Sequence, residues 1–232
     1  PGGTVVAATS EPGRVVTNGM SQYSRAERNA NAGLVVGIEP ADFGQHDRNA
    51  WTAAFGAADG PALADQAQQC MARGLVHPLA GIVLQRQLES RAYEAGGRSY
   101  EAPAQRVGDF LAATPSTQLG AVLPSYKPGV HLTDLAQVLP DYAVAAMREA
   151  LPVFGRKIRG YDLPDALMTA VETRTSSPLR IPRGTDFQSV NTPGLYPAGE
   201  GASYAGGILS AGVDGIQVAE ALARACIGAG GH

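Results

Sequence analysis

One segment limits the fold more than any other: GLYPAGEGASYAGGILSAGVDGIQVAEALAR, residues 194–224. It reads as strand, turn and helix. The run Gly194-Leu195-Tyr196-Pro197-Ala198 predicts a strand ending at Gly199-Glu200-Gly201, and a helix is expected from about Gly207 to Arg224. Gly207, Ala211, Gly215 and Ala219 recur at every fourth residue. One face of the helix therefore carries only small side chains and can lie close against a sheet or a ligand. The start of such a helix offers unpaired amides and the positive end of the helix dipole. Glycines there let backbone N–H groups approach an anion or an electron-rich carbonyl. Glu200 sets an acceptor-only carboxylate where the strand gives way to the turn.

The rest of the chain is mixed α and β. Val5-Val6, Val15-Val16 and Leu34-Val35-Val36 predict extended structure within residues 4–38, the first two as an antiparallel hairpin. Turn clusters separate them, at Glu11-Pro12-Gly13 and from Asn18 to Asn31. Residues 40–60, with the single Trp51, read as loop. Helices are expected from Pro61, from Pro78 to a Gly96-Gly97 stop, after Thr133 or Asp134, and from Asp141. Residues 98–130 read as loop, and residues 166–190 as extended structure followed by a polar stretch.

Composition removes several function classes. The chain has 18 basic and 21 acidic residues and a net charge of −3, whereas a nucleic-acid binder normally carries a basic excess. With 44% apolar residues in 232, it can bury a core and does not fit the disordered class. Glycine (29) and proline (16) are spread along the chain, which means many turns rather than a linker. Cys70 and Cys226 form no CxxC pair, and His46, His77 and His131 lack metal-ligand spacing, so no metal site is expected. His232 is terminal and expected to be disordered. No apolar run reaches the length of a membrane span and no leader is visible, so a cytoplasmic location is expected.

The turn at Gly199, Glu200, Gly206, Gly207 and Ile208 resembles the closing motif of FAD-binding domains of the glutathione-reductase superfamily. VVTNGMS (15–21), NAN (29–31), QRVGDFL (105–111), VETRTSSPLRI (171–181) and GLYPAGEGASYAGGI (194–208) narrow the resemblance to the bacterial family of uncharacterised FAD-dependent dehydrogenases. The resemblance implies a flavoprotein oxidoreductase passing hydride through FAD to or from a small-molecule substrate, with NAD(P)H as a candidate electron donor. It also implies that Glu200 accepts hydrogen bonds from the ribityl chain, that the helix start faces the flavin carbonyl, and that Gly201 and Tyr204 belong to the cofactor turn. The GxGxxG opening of such domains is absent here. The expectation is therefore a C-terminal part whose partner is the N-terminal half of the FAD domain, and which alone binds FAD weakly or not at all.

The expected domains are 1–178, a substrate-side β-rich and helical insert, and 179–232, the closing strand and helix of a Rossmann-like FAD domain. Arg174, Ser176, Ser177 and Arg180 are substrate-side candidates, since arginine suits bidentate recognition of carboxylate or phosphate. The plainer alternative is a solvated loop with a capping serine. Asn18 and Ser21 are also substrate-side candidates, although Asn18-Gly19 reads equally as a turn. Arg106 and Asp109 form either an ion pair or a substrate contact. Two other functions stay open. One is a flavin-binding scaffold without redox turnover, and the other is a disulfide reductase, against which the unpaired cysteines count.

Overall fold

A computed structural model describes residues 2–8 and 11–229. His232 lies outside these ranges. The chain is mixed α and β, with two small sheets and five α-helices among the described residues. It divides into two units, Pro1–Asp65 with Val83–Thr173, and Gln66–Ile82 with Arg174–His232.

In the first unit, β1 (Gly3–Ala7) and β2 (Thr17–Ser21) pair antiparallel, with Val5 opposite Gly19 and Val6 opposite Asn18. An antiparallel hairpin forms as expected, but its second strand begins directly after Val15-Val16, which the sequence predicts to lie within it. Asn18-Gly19, however, sits inside β2 and not in a turn. The reason lies at Asn31. Its side-chain amide donates to the Thr4 carbonyl at 3.2 Å and to the Met20 carbonyl at 3.5 Å, lying across both strands. A Cβ on Gly19 would come within 2.7 Å of that amide, and one on Gly3 would overlap the Asn31 side chain and backbone nitrogen. Gly19 is therefore needed for clearance. Leu34-Val35-Val36 joins no strand. Leu34 and Val36 pack against the core, while Val35 is exposed.

Helix α1 (Arg48–Ala72) begins well before Pro61. The Asp47 carboxylate accepts from the Ala50 amide at 2.7 Å, and Trp51 is buried and stacked on Phe55. An aromatic of that size stabilises a first turn that weak local propensity would leave open. Gly56, at φ 82°, breaks the helix, and Pro61 follows inside its second part. Helix α2 (Ala80–Ala95) stops at Gly96-Gly97 as expected, with Gly97 at φ 79°.

A second sheet has β3 (Ala102–Arg106) at its centre, parallel to β4 (Val130–Leu132) and antiparallel to β5 (Leu167–Thr169). Strand β3 falls where the sequence predicts a loop, because Ala-Pro-Ala-Gln-Arg has little strand propensity. Pro103 has no amide to donate, and it joins the ladder through its carbonyl alone, accepting from the Ala170 amide at 3.0 Å. Helix α3 (Val107–Leu111) follows directly. Asp134 caps only a 3-10 turn, Leu135–Gln137, and Pro140 holds the N-cap position of α4 (Asp141–Lys157), with Asp141 in its first turn. Ala143, Val144, Met147 and Leu151 form the inward stripe of α4, and the last three join Val107, Phe110, Leu135 and Val171 in the core.

In the second unit, α5 (Ile208–Ala229) is the expected closing helix. The strand expected before it is not formed. Residues 194–198 are loop, and Leu195 meets Ser189 through a single backbone bond of 2.8 Å. A strand exists only through a ladder, and among the described residues this unit offers no strand to pair with. Residues 174–190 likewise form turns, with one isolated bridge between Arg183 and Ser189.

Candidate functional site

The turn that joins residue 197 to α5 is built from inside the second unit. Asp214, one and a half turns into α5, is buried and accepts from the Gly199 amide at 2.8 Å. It also accepts from Arg183 through Nη1 at 3.0 Å and Nη2 at 2.5 Å. The same Nη1 donates to the Pro197 carbonyl at 2.8 Å. The Arg183 guanidinium lies 3.7 Å from the centroid of the Tyr204 ring and 4.6 Å from that of Phe187. The Tyr204 hydroxyl accepts from the Arg183 amide at 3.0 Å and donates to the Ile181 carbonyl at 3.2 Å. The Arg183 guanidinium and the Gly199 amide hold the Asp214 carboxyl below the usual carboxylate range, the arginine being the larger cause, and burial opposes them.

Within this frame the turn closes on itself. The Tyr204 amide donates to the Gly199 carbonyl at 3.0 Å, and the Ser203 amide to the Glu200 carbonyl at 2.9 Å. Gly199 takes φ 66°, a conformation that favours glycine. Glu200 is half-buried, and its carboxylate makes no hydrogen bond or ion pair with any described residue. A Cβ added at Gly201 or Gly206 would meet nothing within 4 Å, and one at Gly207 would meet only the Ser210 hydroxyl. The backbone at the start of α5 is thus open to approach, and Ile208 is 93% exposed. A free acceptor in a turn that leads into unpaired helix-start amides offers both an acceptor for hydroxyl donors and donors for a carbonyl. That donor and acceptor set fits the ribityl chain and pyrimidine edge of a flavin.

Of the substrate-side candidates, Arg180 stands beside this turn. Its guanidinium lies 4.3 Å from the centroid of the Tyr204 ring, and the next residue, Ile181, pairs through its amide with the Ala202 carbonyl at 3.4 Å. Arg174 and Ser176 are exposed in the same unit, whereas the Ser177 hydroxyl is used locally, donating to the Leu179 carbonyl at 2.8 Å. Asn18 and Ser21 are exposed on β2 in the first unit. The stretch before Arg174 is clamped in that unit. Gln85 donates to the Thr173 carbonyl at 2.8 Å, and the Thr173 hydroxyl donates at 2.8 Å to the fully buried Glu89.

The QRVGDF motif is engaged internally. Arg106 and Asp109 form a two-pronged ion pair at 2.8 and 3.1 Å, and the Ser116 hydroxyl donates to Asp109 at 2.6 Å. Buried Gln105 donates to the Thr114 carbonyl and accepts from the Leu135 amide. Clefts of about 200 Å³ (around Thr4, Arg28 and Ser125) and about 370 Å³ (around Asp186 and Ser189) include no residue of the 199–208 turn. Among the described residues, no group of three His, Cys, Asp or Glu could hold a metal ion, and no helix is long and apolar enough to cross a membrane.

Arg183 and Asp214 are the residues that sequence reasoning passed over. The available signal was Asp214 itself, the lone charge between Gly206 and Ala219.

A family model described as FAD-dependent protein, C-terminal domain-like, matches residues 1–59 and 60–175. An uncharacterized protein of Clostridium beijerinckii is 46% identical over 220 residues, which is 95% of this chain and 36% of that protein. The chain thus spans about a third of the length of this relative, and the 199–208 turn lies beyond the family match.

Proposed function

The chain belongs to the FAD-dependent protein, C-terminal domain-like family, and from that premise we propose that it is the C-terminal portion of an FAD-dependent oxidoreductase acting on a small molecule. In this reading residues 199–208 form the flavin-ring end of a Rossmann-like domain of the glutathione-reductase type. The observation that carries it is the Glu200 carboxylate. It stands unpartnered in a turn whose surrounding backbone and side-chain polar groups are pinned in place. Bound FAD would supply hydride acceptance and donation, so the chain need not furnish a redox group of its own.

The roles of this chain's residues follow from their chemistry. Glu200 accepts hydroxyl hydrogens of the ribityl chain, while the amides at Gly206, Gly207 and Ile208 donate to an electron-rich carbonyl. Arg180, its guanidinium over the Tyr204 ring, attracts the anionic end of a substrate. The outward face of α5 supports a covering partner. Leu209 is 86% and Ile216 63% exposed, with Val213 and Ile227 on the same side, while Asp214 and Val218 turn inward. The N-terminal half of the FAD domain, within the larger polypeptide that the relative's length suggests, is the partner we assign to that face. The test is flavin content: the full polypeptide purifies with a yellow cofactor, and Glu200→Ala lowers its occupancy. A colourless wild-type protein that gains no flavin absorbance when mixed with FAD would refute the reading.

A further inference from the structure

The Arg183–Asp214 pair does more than join two elements. Both side chains are about nine-tenths buried, at 9% and 10% exposure. Burying opposite charges is expensive in desolvation, and a pair kept in such a place contributes little stability over well-packed apolar groups. What apolar groups could not do is grip backbone polar atoms. Here each partner does so on the near side of Glu200, Arg183 at the Pro197 carbonyl and Asp214 at the Gly199 amide. On the far side, the Tyr204 ring lies 3.7 Å from the Arg183 guanidinium, while its hydroxyl accepts from the Arg183 backbone amide. Residues 197, 199 and 204 therefore bracket the free carboxylate, and all three are referred to one charge pair anchored in α5.

We infer that Arg183 and Asp214 are positioning residues that set the backbone of the 197–204 turn so that Glu200 and the α5 amides address the cofactor together. The inference rests on the flavin reading above. It differs from a stability role because the pair governs where the acceptor stands as well as whether the unit folds.

The experiment uses the full polypeptide, freed of cofactor and titrated with FAD, as wild type, Asp214→Asn, Arg183→Lys and Glu200→Ala. The Asn side chain keeps an acceptor for Gly199 but loses the charge, and Lys keeps the charge but loses the two-pronged grip. Both positioning variants are expected to bind FAD about ten-fold or more weakly, the loss of a charge-assisted bond. Amide hydrogen exchange over 197–204 rises about ten-fold with exchange in β3 and α4 unchanged, by the same loss confined to the turn. At saturating FAD the flavin visible band is shifted, a signature that a change in stability alone does not move. Glu200→Ala weakens FAD without raising exchange in the turn. If Asp214→Asn and Arg183→Lys fold, bind FAD within about two-fold of wild type and show an unshifted band, the inference is overturned while the flavin reading stands. A wild-type protein that binds no FAD overturns both.

Discussion

Asn31 occupies the space that a side chain on Gly3 would need. Its amide meanwhile bridges the carbonyls of Thr4 and Met20. Because the overlap at Gly3 includes the Asn31 backbone nitrogen, no rotamer change relieves it. Gly3→Ala is therefore expected to destabilise the first unit by about 2 kcal/mol, the usual size of an overpacking penalty. Asn31→Ala should cost about 1 kcal/mol through its lost hydrogen bonds. Urea denaturation of each variant measures both, and a Gly3→Ala midpoint equal to wild type would show that the hairpin does not depend on this contact.

Glu200→Gln separates charge from shape. The amide keeps one acceptor oxygen but loses the carboxylate, so a charge-assisted hydrogen bond becomes a neutral one, worth about half as much. FAD affinity in the full polypeptide should fall about ten-fold for Glu200→Gln and further for Glu200→Ala, with thermal midpoints of the cofactor-free proteins unchanged. Fluorescence titration with FAD reads the affinity. Equal affinity in all three proteins would remove Glu200 from the cofactor's contacts.

Two carboxyls are held low in the folded chain, Asp214 mainly by hydrogen bonding to Arg183 and Asp109 by Arg106 and then Ser116. A folded-state pKa below the unfolded one gives stability that is fully present above the unfolded carboxyl value, about 3.9. That stability is lost as pH falls through the folded values. The part of the urea midpoint that these two carboxyls supply should therefore be level from neutral pH down to about pH 5 and then decline, while His77, held below its usual value by burial, adds a separate loss as pH falls through about 6.5. Asp214→Asn should lie lower at neutral pH and decline less steeply, because one of the titrating groups is gone. An acid decline as steep as that of wild type would assign the loss to other carboxyls.

What the sequence disclosed, and what it hid, follows physical lines. The β1–β2 hairpin was legible in outline because a valine run and a Pro-Gly turn act over a few residues, although its second strand starts only after Val15-Val16, and α2 ends at its glycine pair for the same local reason. Strand β3 was hidden because an Ala-Pro-Ala-Gln-Arg strand is made by its neighbours β4 and β5, which lie far along the chain. Asn18-Gly19 was misread as a turn because its glycine answers to Asn31, a distant residue. At the candidate site, Glu200 and the glycines stood out through local chemistry. Arg183 did not, since its partner Asp214 is 31 residues away. A charge pair of that span shows only in three dimensions.

The apolar outer face of α5 gives the last prediction. A surface substitution away from special contacts usually changes stability by no more than about 0.5 kcal/mol. Ile216 is 63% exposed in this chain, so in solvent Ile216→Asp would be neutral by that measure. If the N-terminal half of the FAD domain covers the face, the same change buries a carboxylate among apolar groups and removes the burial of a large aliphatic side chain, worth about 1.5–3 kcal/mol by itself. In the full polypeptide Ile216→Asp should then lower the thermal midpoint by several degrees and reduce flavin retention, because the covering half and the Glu200 turn would part together. Leu209→Asp, on the same face and directly after the cofactor turn, should affect flavin retention at least as strongly. Gln217→Asp, on the exposed flank of α5, serves as the control and should leave both quantities unchanged. A thermal midpoint and flavin content indistinguishable among all three variants would mean that the face stays in solvent and that the covering partner must be sought elsewhere.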